Sequence, residues 1–318
     1  MKAFVTGGAG FIASHIVDRL LSGGHEATVF DNLCTGFSAN LEHHAGSDRF
    51  AFHRGDVLDL EDLKARMRGH DTLFHFQAHA DVRGGISNTR TDFEQNVTGT
   101  WNALEAARLS GIKTILFSSS ATVYGEPSVF PTPEDFPLIQ TSLYGASKLA
   151  GEAMLHAYAE YFGMRTVLFR FVSWIGPRYS HGVVFDFVNK LRKNPEKLEV
   201  LGDGNQRKSY LDVRDGVSGI FCALDRFQGN KGIFNLGHDD CLNVLDLARI
   251  VISEMGLENV EIVPSGGIRG WVGDSPFVHL DTARIKALGW RPSLSIEEGI
   301  RATTRYLMAN PWLLDSRS

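Results

Sequence analysis

Short apolar runs alternate with longer stretches of helical spacing along the first half of the chain. The runs are KAFVT, EATVF, FAFHR, TLFHF, KTILFS and RTVLFR. Few polar residues interrupt them at every second position. A strand with one wet face alternates, whereas an unbroken apolar run reads as a strand buried on both faces. Between them lie GFIASHIVDRLLSGG, DLEDLKARMRG, DFEQNVTGTWNALEAARLSG and TSLYGASKLAGEAMLHAYAEYFG. These carry helical periodicity, and glycines at their ends supply stops. Strand–helix alternation of this kind predicts an α/β fold, a doubly wound parallel sheet with helices on both faces.

After about Phe171 the rhythm loosens. Loop signals appear at GPRYSHG, GDGNQ and PSGGIRGWVGDSP. This predicts a first domain over 1–172 with a returning segment near 205–237. A smaller, mostly C-terminal α/β domain, 173–204 and 238–318, would be built around a substrate.

Composition narrows the class. The chain has 318 residues and 43% hydrophobic content, enough for one large domain or two closely joined ones. No apolar run approaches the roughly 18 residues that span a bilayer. Met1 and Lys2 lead straight into a strand, so no secretory signal is expected. The formal charge of −5 comes from acids and bases mixed along the chain, which favours neither a nucleic-acid groove nor a membrane patch. Cys34, Cys222 and Cys241 are far apart, without disulfide or metal spacing. A cytoplasmic protein without a metal is therefore expected.

Two constellations carry chemistry. The first is FVTGGAGFIAS, where Gly7, Gly10 and Ala13 sit between a strand and a helix. Glycines there let the backbone approach a pyrophosphate, and the helix N-terminus offers N–H groups to the anion. The next strand ends at Asp31, about 20 residues on, where an acid suits the ribose hydroxyls of NAD and repels the extra phosphate of NADP. A turn-capping role for Asp31 is the plainer alternative. RGDVLD places Asp56 and Val57 after the third strand, within reach of an adenine edge.

The second constellation is SLYGASKLAGE. Tyr144 and Lys148 are i and i+4 and share one helix face. Ser118, Ser119 and Ser120 end a preceding strand, at the sheet edge where doubly wound folds bind ligands. Tyrosine is too weak an acid to serve as a base at neutral pH unless neighbouring cations favour the phenolate. Lys148 and a nicotinamide would provide them. Tyr144 would then take a hydroxyl proton while Ser120 holds that hydroxyl.

TGGAGFIAS, DNL, NVTGTWNALEAAR, SSSATVYGEP, YGASKLAGE and GPR together resemble the extended short-chain dehydrogenase/reductase family. Within it the chain is similar to the NAD-dependent nucleotide-sugar epimerases that act at C4 of UDP-glucose and UDP-galactose. The likeness runs through LDTARIKALGWRPSLSIEEGI near the end. It implies a Rossmann fold, an isomerase that regenerates NAD each turnover, a UDP-hexose substrate and a homodimer. It also implies Ser120, Tyr144 and Lys148 as the catalytic triad. Gly7, Gly10, Phe11, Ile12, Asp31, Asn32, Gly36, Asp56, Val57, Phe76, Ala78, Asn96, Ser118 and Phe171 fall where the family holds NAD. Relatives that dehydrate carry an Asp-Glu pair after the catalytic Ser/Thr, and relatives that decarboxylate carry a Glu at the Val123 position. This chain has Ala121, Thr122 and Val123 there, so both are disfavoured.

For the substrate the resemblance implies Ser173, Val183, Lys208, Arg269 and Val278. Ser173 replaces the family's Asn. Lys208 stands where a phosphate-binding Arg is usual, with Arg207 one position early. Strand neighbours point to opposite faces, and register selects Lys208. Trp271 fills an Arg slot, leaving Arg269 as the second cation. Val278 lies near the gate beside the sugar C2 substituent and leaves room for an N-acetyl group. A UDP-glucuronate 4-epimerase, a nucleotide-sugar ketoreductase and a non-catalytic NAD sensor are the alternatives.

Overall fold

The computed structural model describes residues 1–82 and 84–316. The chain forms two compact units. The first is Met1–Pro127, Glu134–Phe171 and Ile220–Asn235, and the second is Ser128–Pro133, Val172–Gly219 and Leu236–Ser318.

The first unit is built on a seven-stranded sheet. Its strands are β1 (Lys2–Thr6), β2 (Glu26–Asp31), β3 (Phe50–Arg54), β4 (Thr72–His75), β5 (Thr114–Ser120) and β6 (Arg165–Phe171), with Lys231–Leu236 beside β6. The order β3-β2-β1-β4-β5-β6 is parallel throughout. It reverses between β1 and β4, the switch point at which such folds bind dinucleotides. Ala3, Phe4, Val5 and Thr6 are all buried, as an unalternating run requires.

The helices are α1 (Phe11–Ser22), α2 (Leu60–Met67), α3 (Thr89–Asp92), α4 (Gly99–Ser110) and α5 (Leu143–Phe162). Their caps are legible. Ser142 accepts from the Gly145 N–H at 3.0 Å to start α5, and Gly163, at φ 63°, ends it in a left-handed turn. Leu63 and Met67 from α2, Leu104 and Ala107 from α4, and Leu155 from α5 pack with Phe4, Phe30, Leu73 and Phe117 in one core cluster. Each large side chain buried there contributes about 1.5–3 kcal/mol. The helix expected from Asp92 onward is interrupted: a π-helical turn, Phe93–Thr98, joins α3 to α4 and carries Asn96. Such turns recur at functional sites.

The returning segment is Ile220–Asn235, narrower than the expected 205–237. The reason is strand pairing. Arg207–Lys208 lies between Leu242–Asn243 and Phe277–Val278, and Tyr210–Asp212 pairs with Ser173–Ile175, all within the second unit. Ser128–Pro133 also belongs to that unit, where the Thr132 N–H donates to the His279 carbonyl at 2.8 Å. Helices Val183–Lys193, Val244–Glu254 and Ile296–Ala309 complete it.

Candidate active site

The turn from β1 into α1 fits a dinucleotide. Gly7 has φ 72°, and a Cβ there would lie 2.7 Å from the Gln77 Cα. No other residue type adopts that conformation without strain. Gly10 is the N-cap of α1, with no side-chain cap and no acid in the first turn. No acid of the helix's own first turn offsets its N-terminal dipole, and Phe11 and Ile12 open the helix. Gly36 closes on the same turn: a Cβ there would lie 2.9 Å from the Ala9 carbonyl carbon, and the Phe37 N–H donates to the Ala9 oxygen at 3.0 Å.

Asp31, at the end of β2, is buried and does cap its surroundings. It accepts from the Ala9 N–H at 3.0 Å and the Leu33 N–H at 2.8 Å. Burial raises its pKa, and those two N–H groups oppose the rise. The plainer reading of Asp31 is therefore observed: it is pinned by the turn it caps. Asn32 donates to Asp56 at 3.0 Å, which links the ends of β2 and β3. Val57 is buried under α4, whose Asn102 donates to its carbonyl at 2.9 Å. The Phe76 and Phe171 rings lie 6.2 Å apart, while Ala78 is half-buried. Asn96 accepts from the His79 N–H at 2.8 Å and donates to Ser147 at 3.0 Å. Its side chain therefore braces the loop after β4.

Ser120, Tyr144 and Lys148 come together. Lys148 is buried and donates to the Ser118 carbonyl at 2.8 Å, which docks α5 on the end of β5. Its ammonium lies 5.9 Å from the Tyr144 ring centroid. The Ser120 oxygen accepts from the Thr122 N–H at 3.2 Å and the Thr122 hydroxyl at 3.0 Å. Its own O–H is left to donate. Burial pushes the Tyr144 pKa up, Asp92 adds to the rise, and the nearby Ser120 hydroxyl opposes it. Burial pushes Lys148 down to about 7 against the pull of Glu152 and Asp92. The Tyr144–Lys148 pair beside the end of β5 is thus influenced by two carboxylates, Asp92 and Glu152.

Those carboxylates escaped the sequence reading. Glu152 accepts two bonds from Arg170, at 2.7 and 2.9 Å, and one from Ser119 at 2.5 Å. Arg170 also donates to Tyr124 at 2.9 Å and to the Glu134 carbonyl at 2.8 Å. Glu152 is i+4 from Lys148, a signal present in the same stretch. Asp92 accepts from His79 at 3.0 Å, and nothing local marked it.

In the second unit Lys208 and Val278 are register partners on adjacent strands. The Lys208 ammonium pairs with the buried Asp274 at 2.6 Å, and Arg207 is exposed. Ser173 begins the strand paired with Tyr210–Asp212 and is exposed, Val183 opens a helix, and Arg269 is exposed.

A glycine turn, a pinned strand-end acid and a Ser–Tyr–Lys cluster on one doubly wound sheet define an NAD-dependent enzyme that acts on alcohols. The profile of the NAD dependent epimerase/dehydratase family matches residues 3–237. The chain belongs to that family, and its cofactor is NAD. A putative UDP-glucose 4-epimerase of Methanocaldococcus jannaschii is 32% identical over 312 residues, covering 96% of this chain and 98% of that one. A crystal structure of a UDP-galactose 4-epimerase superposes with TM-score 0.88 at 39% identity, covering 98% of this chain and 100% of that one. A UDP-glucose 4-epimerase from Thermotoga maritima, solved with UDP-glucose, gives TM-score 0.88 at 31% identity over the same shares.

Proposed function

We propose that this protein inverts C4 of a UDP-hexose, interconverting UDP-glucose and UDP-galactose through a transient 4-keto sugar. One observation carries the choice within the family. Ser120, Tyr144 and Lys148 cluster, while the positions after Ser120 are Ala121, Thr122 and a fully buried Val123. An acid–base tyrosine is supplied, but no carboxylate for eliminating water or carbon dioxide stands there.

NAD, held by the glycine turn and Asp31, would supply the reversible hydride acceptor for the sugar carbon. The rest falls to the chain's own groups. Tyr144 removes the 4-hydroxyl proton and gives it back, and the Ser120 O–H steadies the phenolate. Lys148, held by the Ser118 carbonyl, supplies positive charge beside the phenol. Gly7, Gly10, Phe11 and Ile12 receive the pyrophosphate, and Asp31 the adenosine ribose. Asn32, Gly36, Asp56, Val57, Phe76, Ala78, Ser118 and Phe171 line the cofactor, while Asn96 braces the loop after β4. Lys208, with Arg269 and Ser173, holds the nucleotide diphosphate, leaving the sugar free to turn over, and Val183 lines the substrate. Val278 admits an N-acetyl group at C2.

The working form is a homodimer formed through α4 and α5, supported by the exposed apolar residues Trp101, Leu109 and Phe162. Three cysteines outside any disulfide fit a reducing cytoplasm. The test is incubation of the purified protein with UDP-glucose, UDP-GlcNAc and UDP-glucuronate, without added reductant. The expected result is conversion of UDP-glucose to an equilibrium mixture with UDP-galactose. No conversion of UDP-glucose until a nicotinamide reductant is supplied, or turnover of UDP-glucuronate alone, overturns the reading.

A further inference from the structure

We infer that Asp18, His43 and His44 form a binding site for a divalent transition-metal ion such as Zn2+, apart from the Ser–Tyr–Lys cluster. The cysteines of the sequence predict no metal. The structure instead brings two adjacent histidines, on the 3-10 turn Glu42–His44, against an aspartate of α1. The Nε2 atoms of His43 and His44 lie 2.8 and 2.7 Å from the same carboxylate oxygen of Asp18. The two rings are 3.9 Å apart between centroids. One ligand atom from each residue lies within 4.8 Å of the others.

The donor set selects the ion. Two imidazole nitrogens and a carboxylate oxygen suit Zn2+, Co2+ or Ni2+, whereas Mg2+ and Ca2+ prefer oxygen alone. A tetrahedral ion with bonds of about 2.0–2.1 Å needs its ligand atoms about 3.4 Å apart. The two Asp18–His contacts therefore open by more than half an ångström, and the Nε2–Nε2 edge adjusts to match. Side-chain rotation supplies this, because the His43 side chain is 47% exposed and that of Asp18 31%. The tautomer with its proton on Nδ1 leaves each Nε2 lone pair for the ion. His15, one helical turn from Asp18, places its Nδ1 3.9 Å from the other carboxylate oxygen. Water completes the coordination.

The site has a structural consequence. The segment from Gly36 to His44 is tied at one end to the cofactor turn, where Asn40 donates to the Ala9 carbonyl at 2.9 Å. An ion at Asp18, His43 and His44 ties its other end to α1. Binding therefore staples the loop after β2 across the helix whose N-terminus faces the pyrophosphate, and raises thermal stability by mass action.

The test uses the full chain, stripped with chelator and dialysed, titrated with Zn2+ in a calorimeter and with Co2+ in a spectrophotometer. One ion per chain, a rise in melting temperature with Zn2+, and the intense visible bands of four-coordinate Co2+ are expected. The H43Q/H44Q pair should weaken Zn2+ binding by about tenfold or more and abolish the bands. H43Q alone, at a half-exposed ring, gives a milder loss and serves if the double variant fails to fold. The absence of binding overturns the site. So does binding that both variants leave unchanged, because the ion then sits elsewhere among the 12 histidines.

Discussion

Replacing Tyr144 by Phe removes one oxygen and separates chemistry from structure. The neighbouring Ser120 oxygen keeps its two bonds from Thr122 at 3.2 and 3.0 Å. The structural cost is therefore at most that of one hydrogen bond, about 1 kcal/mol. None of the groups of the glycine turn or Asp31 is touched, so NAD content should match wild type. Chemistry loses its proton acceptor, which typically supplies about 10²–10⁴-fold, or about 3–5 kcal/mol of barrier. Turnover of UDP-glucose should fall by that factor with KM little changed. The wild-type pH profile should depend on two groups, because burial raises the Tyr144 pKa while it pushes Lys148 down to about 7; the variant should lose the Tyr144 dependence. The assay is initial rate against substrate and pH, beside a thermal melt and NAD released on denaturation. A folded, NAD-loaded variant within tenfold of wild-type turnover would refute the assignment of Tyr144 as the base.

Gly7→Ala forces a side chain into a left-handed turn, 2.7 Å from the Gln77 Cα. It should yield a folded protein purified with little NAD, measured by absorbance after denaturation; full occupancy would count against the cradle. Glu152→Gln leaves Arg170 buried with half its partner, and breaking such a pair costs about 3–5 kcal/mol. A urea midpoint equal to wild type would show that the pair is not structural. His75 is buried between Thr6 and Thr100 and its pKa is pushed down to about 3 by burial and Lys148. The unfolded chain takes up that proton near pH 6.5, so stability should fall as pH drops from about 6.5 to about 3. The loss is at most about 1.4 kcal/mol per pH unit from this group. Denaturant melts across that range should show a shallower dependence in His75→Gln, and equal slopes would exclude His75 as the source.

The local signals were strong where the physics is local. A strand buried on both faces must be apolar without alternation, so β1 to β6 were visible as runs. Tyr144 and Lys148 share a face because helical spacing puts i and i+4 there. Asp31 was visible because it ends a strand a fixed distance after a glycine turn. Less was legible where two distant segments meet. The tie between Glu152 and Arg170 crosses from α5 to β6. The π-helical turn at Asn96 has the same composition as an ordinary helix, and only its bond from the His79 N–H reveals its task.

The amino-acid order by itself determined the element types, the sheet class, the cofactor turn and the Ser–Tyr–Lys set, because each depends on spacing within a few tens of residues. Only the tertiary structure decided which charges meet. Lys208 and Asp274 are 66 positions apart and pair at 2.6 Å. Asp18 meets His43 and His44 across a loop and a strand. Periodicity records which face a residue presents to its own element. Which partner waits on that face is set by how the chain closes on itself, a sum over many weak contacts that no short stretch encodes.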